Sequence, residues 1–302
     1  MRPYDLHNEL SDRIACVPDI EYARFETDRI VEHLFGMRVG EFFTLANVEL
    51  SSAAKVEFER IVADRERGVP LAYILGYAYF NDLRIYVQPG VLIPRQETEG
   101  LARVGKRLID ENCRSDEPRI LDFGAGSGCI AVWLALELPF SLVWASDLSH
   151  RAVETARRNV RHYGLTMRVI TLRHNGLEGI AGPSNLDLLI SNPPYIAEDD
   201  GRIDESVRLY EPREALIAPG EGLHYFRHIA RWGSVLLAPG GFIAVETGDE
   251  QAETVRRIFY AAGADDVAVE RDLAGIERYV IARFGSRDVE RTGDADGAIG
   301  YH

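Results

Sequence analysis

The chain has 302 residues, 46% of them hydrophobic and 27% charged, with a formal net charge of −14, values that exclude a fibrous or disordered polymer. No apolar run approaches the roughly 18–20 residues of a membrane helix. The opening "MRPYDLHNEL" has no apolar signal-peptide core, so a cytoplasmic location with no membrane partner is expected. The negative charge argues against affinity gained by neutralising many phosphates, so a protein or small-molecule substrate is expected and direct nucleic-acid binding is not.

A length prior of roughly 100–200 residues per domain makes two domains the default. Residues 1–75 read as a helical module. "FETDRIVEHLF" and "SSAAKVEFERIVADRERG" carry apolar residues at helical spacing, such as Ala54, Phe58, Ile61 and Val62. Ser51 or Ser52 is placed to cap the second of these, and Gly68 followed by Pro70 ends it. Residues 76–100, "GYAYFNDLRIYVQPGVLIPRQETE", read as a β-hairpin hinge whose alternating runs lie around Leu83–Val87 and Val91–Ile93.

From 101 to 285 the strand-like runs "RILDF", "LVWASD", "RVITL", "LDLLIS" and "FIAVET" alternate with helical segments such as "SHRAVETARRNVRHYG" and "EQAETVRRIFYAAG". That alternation predicts an α/β fold, an open sheet wound with helices on both faces. "VAVERDLAGIERYVIARF" adds two strands that can pair antiparallel at the sheet edge, and 286–302, rich in Gly and Asp, is expected to be a disordered tail. Cys16, Cys113 and Cys129 are odd in number and far apart, so ordinary thiols are expected, with neither a disulfide framework nor a metal site.

"ILDFGAGSGCIAV" places Gly124, Gly126 and Gly128 after a strand and before a helix, where glycine allows a tight turn and close ligand approach. A strand-to-helix turn with no ligand would use glycine in the same way. The following strand ends at Asp147, whose carboxylate can accept from both hydroxyls of a ribose, or can cap the helix that begins near Ser149. Together these favour a nucleoside ligand. The spacing is G-x-G-x-G with Asp122 just before it, not the G-x-G-x-x-G of dinucleotide enzymes, and it resembles the glycine loop of class I methyltransferases that use S-adenosylmethionine.

A further strand stops at Asn192-Pro193-Pro194-Tyr195. An –NH2 group on an amide or a nucleobase is a poor nucleophile because its lone pair is delocalised. A site that accepts hydrogen bonds from both of its N–H groups holds the nitrogen in line with a methyl donor and favours the positive charge that develops on it. Asn192 supplies a side-chain carbonyl, the prolines have no backbone N–H to offer, and Tyr195 can cover the flat group. The bland alternative is a proline-rich turn with a packing tyrosine. The motif points to a planar amine, and adenine, cytosine and glutamine all carry one.

"NPPY", "VLIPRQETE", "ILDFGAGSG" and "GVPLAYILG", in that spacing and with "YEPREAL" and "DLAGIERYVIARF", resemble the HemK/PrmC family of peptide chain release factor N5-glutamine methyltransferases from about residue 20 to Phe284. The resemblance implies a class I, Rossmann-like methyltransferase domain behind a small helical domain that grips a protein substrate. It implies methyl transfer from S-adenosylmethionine, giving S-adenosylhomocysteine, to the glutamine amide in the Gly-Gly-Gln loop of class 1 release factors. Gly124, Ala125, Gly126, Ser127 and Gly128 would line the cofactor, Asp147 would hold its ribose, and Asn175 and Gly176 would lie at the adenine. Asn192, Pro193, Pro194 and Tyr195 would hold the amide, Asn192 with a cofactor contact of its own, and Phe80 would sit beside the cofactor or amide. A monomer is expected.

Arg95, Glu97 and Glu99 of "PRQETE" read either as an ion-paired latch or as a solvated cluster, not as catalytic groups. Family members commonly have Asp followed by an aromatic residue where this chain has Asn175-Gly176, which removes an aromatic wall from the adenine site. The acidic run "EDDGRIDE" reads as a solvated loop before it reads as a contact for a basic substrate surface. An N5-glutamine methyltransferase for a ribosomal or other protein, or a small amide, would use the same loop. An adenine-N6 DNA methyltransferase would need a basic face that a −14 chain does not show, and a binding module that had lost activity would not need the intact NPPY loop.

Overall fold

The computed structural model describes residues 1–14, 20–178, 180, 182–198, 201 and 204–285. Cys16, the tail 286–302 and half of "EDDGRIDE" lie outside the described residues. The chain forms two compact units, Met1–Pro94 with Asp199–Leu216, and Arg95–Glu198 with Ile217–His302.

In the first unit, α1 (Pro3–Arg13), α2 (Ile20–Phe35), α3 (Val39–Phe42), α4 (Ser52–Glu66) and α5 (Leu71–Leu75) enclose a core of residues that includes Leu10, Ile30, Val31, Phe42, Phe58 and Ile61. Ser51 caps α4 by accepting from the Ala54 N–H at 3.1 Å, and Gly68, at φ +82°, ends it. Phe58, Ile61 and Val62 face the core as their spacing predicts, whereas Ala54 stays half-exposed.

The hairpin that follows differs from the sequence expectation. Its strands are β1 (Tyr77–Phe80) and β2 (Leu83–Tyr86), and Val91–Ile93 is not a strand. Asn81 and Asp82 both adopt positive φ, 45° and 65°, which is the two-residue turn whose twist matches that of paired strands. Downstream, Gln88-Pro89-Gly90 turns back on itself through a Val91 N–H to Gln88 carbonyl bond, and Pro94 has no N–H, so a ladder over 91–93 is blocked.

The second unit begins with α6 (Gln96–Asn112) and continues with β3 (Arg119–Phe123), α7 (Cys129–Glu137), β4 (Leu142–Asp147), α8 (His150–His162), β5 (Val169–Arg173) and β6 (Leu186–Ser191). The chain then enters the segment of the first unit that contains α9 (Glu205–Tyr210). There Glu211, buried, accepts from the Ile93 N–H at 3.0 Å, and the Tyr210 hydroxyl donates to the Arg67 carbonyl at 2.6 Å. Back in the second unit come α10 (His224–His228), α11 (Ser234–Leu236), β7 (Leu237–Glu246), α12 (Ala252–Ala261), β8 (Asp266–Arg271) and β9 (Glu277–Arg283).

The sheet runs β5-β4-β3-β6-β7-β9-β8, parallel up to β7 and antiparallel at β9 and β8, the edge pair the sequence predicts. Its central strands β3, β4 and β6 are almost wholly buried because helices cover both faces, which is why they read as continuous apolar runs, while the edge strands β5 and β8 are partly exposed. Two glycines let α6 approach the sheet closely. A Cβ at Gly105 would lie 2.8 Å from Ile190 Cδ1, and one at Gly100 would collide with the Tyr279 hydroxyl. That hydroxyl donates to the Glu97 carbonyl at 2.8 Å and pins the first turn of α6 against β9.

Candidate active site

β3 pairs with β4 on one side and β6 on the other, so the chain order reverses at β3, the position where open α/β sheets bind ligands beyond their carboxyl ends. The glycine loop follows β3, Asp147 ends β4, Asn175 follows β5 and Asn192 follows β6. Four separated pieces of sequence thus reach one end of one sheet. The two loops at the reversal are joined directly, for the Ser191 hydroxyl donates to the Phe123 carbonyl at 2.6 Å.

Gly124, Gly126 and Gly128 all have positive φ, 74°, 56° and 76°. Around the Cβ positions of Gly124 and Gly126 the space is open, whereas at Gly128 a Cβ would meet that of Ala156 at 3.0 Å. Two glycines therefore border a cradle and the third permits close packing of α8. The Gly124 and Ala125 N–H groups both donate to the Ser146 carbonyl, and the Gly126 N–H donates to Asp147 Oδ2 at 2.8 Å. Ser127 is buried, and its carbonyl accepts from Asn159 Nδ2 at 2.9 Å.

Asp147 Oδ1 accepts from the Ser149 N–H, so its helix-end role is real, but the capping side chain of α8 is Ser149, which accepts from Ala152. Behind the loop Asp122 is fully buried. Its Oδ2 accepts from the Ala131 N–H at 3.1 Å, its Oδ1 has no partner among the described residues, and burial pushes its carboxyl up to about 7.

Asn175 is exposed, and Gly176 adopts φ +94°, where a Cβ would lie 2.9 Å from His228 Nε2. His228 Nε2 accepts from the Leu177 N–H at 2.8 Å, and burial lowers its pKa, which keeps that nitrogen an acceptor. Glycine at 176 is thus required by the backbone and by the imidazole beside it. Phe80 lies in the first unit, fully buried at the end of β1. Glu97 and Glu99 occupy the first turn of α6, where acids oppose the helix dipole, and Glu99 pairs with Arg103 one turn on at 3.0 Å.

The Asn192–Tyr195 loop is held by side chains from far away in sequence. Asn192 Nδ2 donates to Thr98 Oγ1 at 2.8 Å, and Thr98 Oγ1 donates to Glu246 Oε2 at 2.8 Å. The Tyr195 hydroxyl reaches Glu246 Oε1 at 3.4 Å, and the Tyr195 carbonyl accepts from Gln251 Nε2 at 2.9 Å. Gln251 Oε1 in turn accepts from the Gly248 N–H, and a Cβ at Gly222 would collide with the Tyr195 carbonyl. Burial pushes the Glu246 carboxyl up to about 7, and burial with Glu246 nearby raises the Tyr195 phenol, which stays protonated.

Thr98, Glu246 and Gln251 escape a reading by motif. The first sits among the charges of "PRQETE", and the second is an acid at the end of an apolar strand, the pattern that singled out Asp147.

Residues 100–220 match the family described as Methyltransferase small domain, and residues 8–76 match PrmC N-terminal domain. A Release factor glutamine methyltransferase of Xylella fastidiosa is 35% identical over 86% of this chain and 93% of its own length. One of Salmonella typhimurium is 32% identical over 93% and 99%. The chain belongs to the release factor glutamine methyltransferase family. In fold, the membership agrees with a solved hMettl16 catalytic domain in complex with an RNA hairpin, 16% identical, with a TM-score of 0.53 over 78% of this chain and 84% of that one.

A methyltransferase of this family uses S-adenosylmethionine, and the residues present fit it. The cradle over Gly124 and Gly126 is open, the Asp147 carboxylate stands at its edge, and Asp122 Oδ1 is a buried oxygen without a partner among the described residues.

Proposed function

We propose that this chain methylates the side-chain amide nitrogen of the glutamine in the Gly-Gly-Gln loop of a class 1 peptide chain release factor, with S-adenosylmethionine as donor. The observation that carries the chemistry is the pairing of β3 with β6, which brings an open glycine loop and an acceptor-rich Asn-Pro-Pro-Tyr loop to the same sheet end. The relatives' printed activity carries the choice of glutamine over a nucleobase.

Gly124 to Gly128 line the donor, Asp147 accepts from its ribose hydroxyls, and Asn175 accepts from its adenine amine. When bound, the cofactor supplies an electrophilic methyl group on a sulfonium. Asn192 Oδ1 and the carbonyl of Pro193 or Pro194 accept from the two amide N–H groups, and Tyr195 covers the plane of the amide. As the nitrogen–carbon bond forms, the sulfur–carbon bond breaks, and the nitrogen gives one proton to water. The acceptors strengthen as charge appears on the nitrogen, which is differential binding of the transition state.

The test is transfer of labelled methyl to a purified release factor, to its Gln→Ala variant in the Gly-Gly-Gln loop, and to duplex DNA. Label on the intact factor alone supports the reading. Label on the variant or on DNA, or on none of the three, overturns it.

A further inference from the structure

The hydrogen bonds behind Asn192 have a direction that can be derived proton by proton. Glu246, 1% exposed at the end of β7, receives Thr98 Oγ1 at 2.8 Å and the Tyr195 hydroxyl at 3.4 Å. An ionised carboxylate only accepts, so the single Thr98 hydroxyl proton points to Glu246. What Oγ1 has left is lone pairs, which an N–H can meet and a carbonyl cannot. The carboxamide of Asn192 must then turn its Nδ2 to Thr98, as observed at 2.8 Å, and its Oδ1 away.

We propose that Thr98 and Glu246 are positioning residues that hold the Asn192 carboxamide with its oxygen toward the substrate, so that the site accepts from an –NH2 group instead of donating to a carbonyl. The proposal rests on the reading of Asn192 to Tyr195 as the amide-holding loop. It gives the buried acid a task at a distance, because Glu246 sets the polarity of a group that it does not touch. The first turn of α6 is rigid enough for this, pinned by Tyr279 at the Glu97 carbonyl and seated closely through Gly100 and Gly105.

Protonation of Glu246 would release the constraint. Its O–H could donate to Thr98, the Thr98 hydroxyl could then donate to Asn192 Oδ1, and the carboxamide could turn over to present a donor. The groups facing Glu246 are Thr98 and Glu97 from α6, Tyr195 from the loop, and Arg278 and Tyr279 from β9. Burial outweighs the Arg278 charge and the hydrogen bonds, and pushes the carboxyl up to about 7, so correct orientation is the high-pH form.

The experiment compares wild type with Thr98→Val, Thr98→Ser and Glu246→Gln in the full chain. The readouts are kcat and KM for the release factor, binding of a Gly-Gly-Gln peptide with S-adenosylhomocysteine present, cofactor affinity by calorimetry, and Tm. Thr98→Val keeps shape and loses the hydroxyl. Its kcat is expected to fall roughly 10- to 100-fold with cofactor affinity unchanged, and Thr98→Ser is expected to restore most of the rate. A Thr98→Val enzyme at wild-type rate overturns the proposal, as does a Thr98→Ser enzyme that melts like wild type yet is as slow as Thr98→Val.

Should Thr98→Val fail to fold, the pH profile decides. Wild-type kcat is expected to fall as pH drops below about 7, and Glu246→Gln is expected to flatten that limb. An unchanged limb in Glu246→Gln overturns the assignment. If wild type modifies no glutamine at all, the functional reading fails and this proposal falls with it. An active wild type with an indifferent Thr98 defeats the positioning role alone.

Discussion

The glycine loop and the Asn-Pro-Pro-Tyr loop leave neighbouring strands of one sheet, yet they are held in shape by different kinds of group. The first is shaped mainly by backbone, through three positive-φ glycines and N–H groups that donate to the Ser146 carbonyl. The second is held by side chains that arrive from α6, from the end of β7 and from Gln251 at the start of α12. Each end hides a carboxylic acid pushed up to about 7 by burial. Among the described residues Asp122 is left with one oxygen unpartnered, while Glu246 has both occupied. A loop shaped by backbone stands ready for whatever enters it, whereas a loop held by side chains can be tuned, and lost, by one substitution far away in sequence.

The comparison breaks most sharply at Asn192. Asn192→Ala is expected to lower turnover by about 100-fold or more, the scale seen when one transition-state hydrogen bond is removed. A rate within a few-fold of wild type in a methyl-transfer assay would show that the side-chain end is not where the amide is held.

Asp147→Ala is the corresponding cut at the other end. Loss of the ribose acceptor is expected to weaken cofactor binding roughly 10- to 100-fold by calorimetry, as for a lost charge-assisted hydrogen bond. Asp147 also accepts from the Gly126 and Ser149 N–H groups, so a modest fall in Tm should accompany it. An unfolded protein would mean that the glycine loop depends on a side chain as heavily as its neighbour does.

Gly128→Ala tests the backbone account directly. The new Cβ meets the Ala156 Cβ at 3.0 Å at a φ of +76°, so stability should fall by about 2 kcal/mol, read as a lower Tm, while Gly126→Ala, with open space around it, should be milder.

The two acids give stability a pH dependence. A carboxyl whose folded pKa lies above its unfolded value takes up a proton on folding, so stability falls as pH rises from the unfolded values, 3.8 for Asp and 4.5 for Glu, to about 7. Asp122→Asn and Glu246→Gln should each flatten part of that slope in denaturation midpoints taken at pH 5 and pH 8. A slope that neither variant alters would show both acids to be ionised in the folded protein.

What the sequence made legible follows the same division. The strands at "RILDF", "LVWASD" and "LDLLIS", the edge pair and the cap at Ser51 are local signals, and the structure bears them out, whereas the cap of α8 is Ser149 and not Asp147. The expected hairpin turns at Pro89-Gly90, whereas the chain turns at Asn81-Asp82, where both residues adopt positive φ. Asp147 and Asn192 were legible because strand ends announce themselves. Thr98 and Glu246 were not, for they stand 148 positions apart and meet only when α6 settles on the sheet.

The first unit is discontinuous, with Ile93 closing on Glu211 and Arg67 on Tyr210 across more than a hundred residues. A chain emerging from the ribosome therefore cannot complete that unit when its first 94 residues are out; it must wait until the segment ending at Leu216 has been made. By then β3 to β6 and the Asn-Pro-Pro-Tyr loop have also been synthesised. The order of synthesis thus places the amide-holding loop ahead of the last piece of the helical module, and shortening the protein at its amino end would strand a buried glutamate just downstream of that loop.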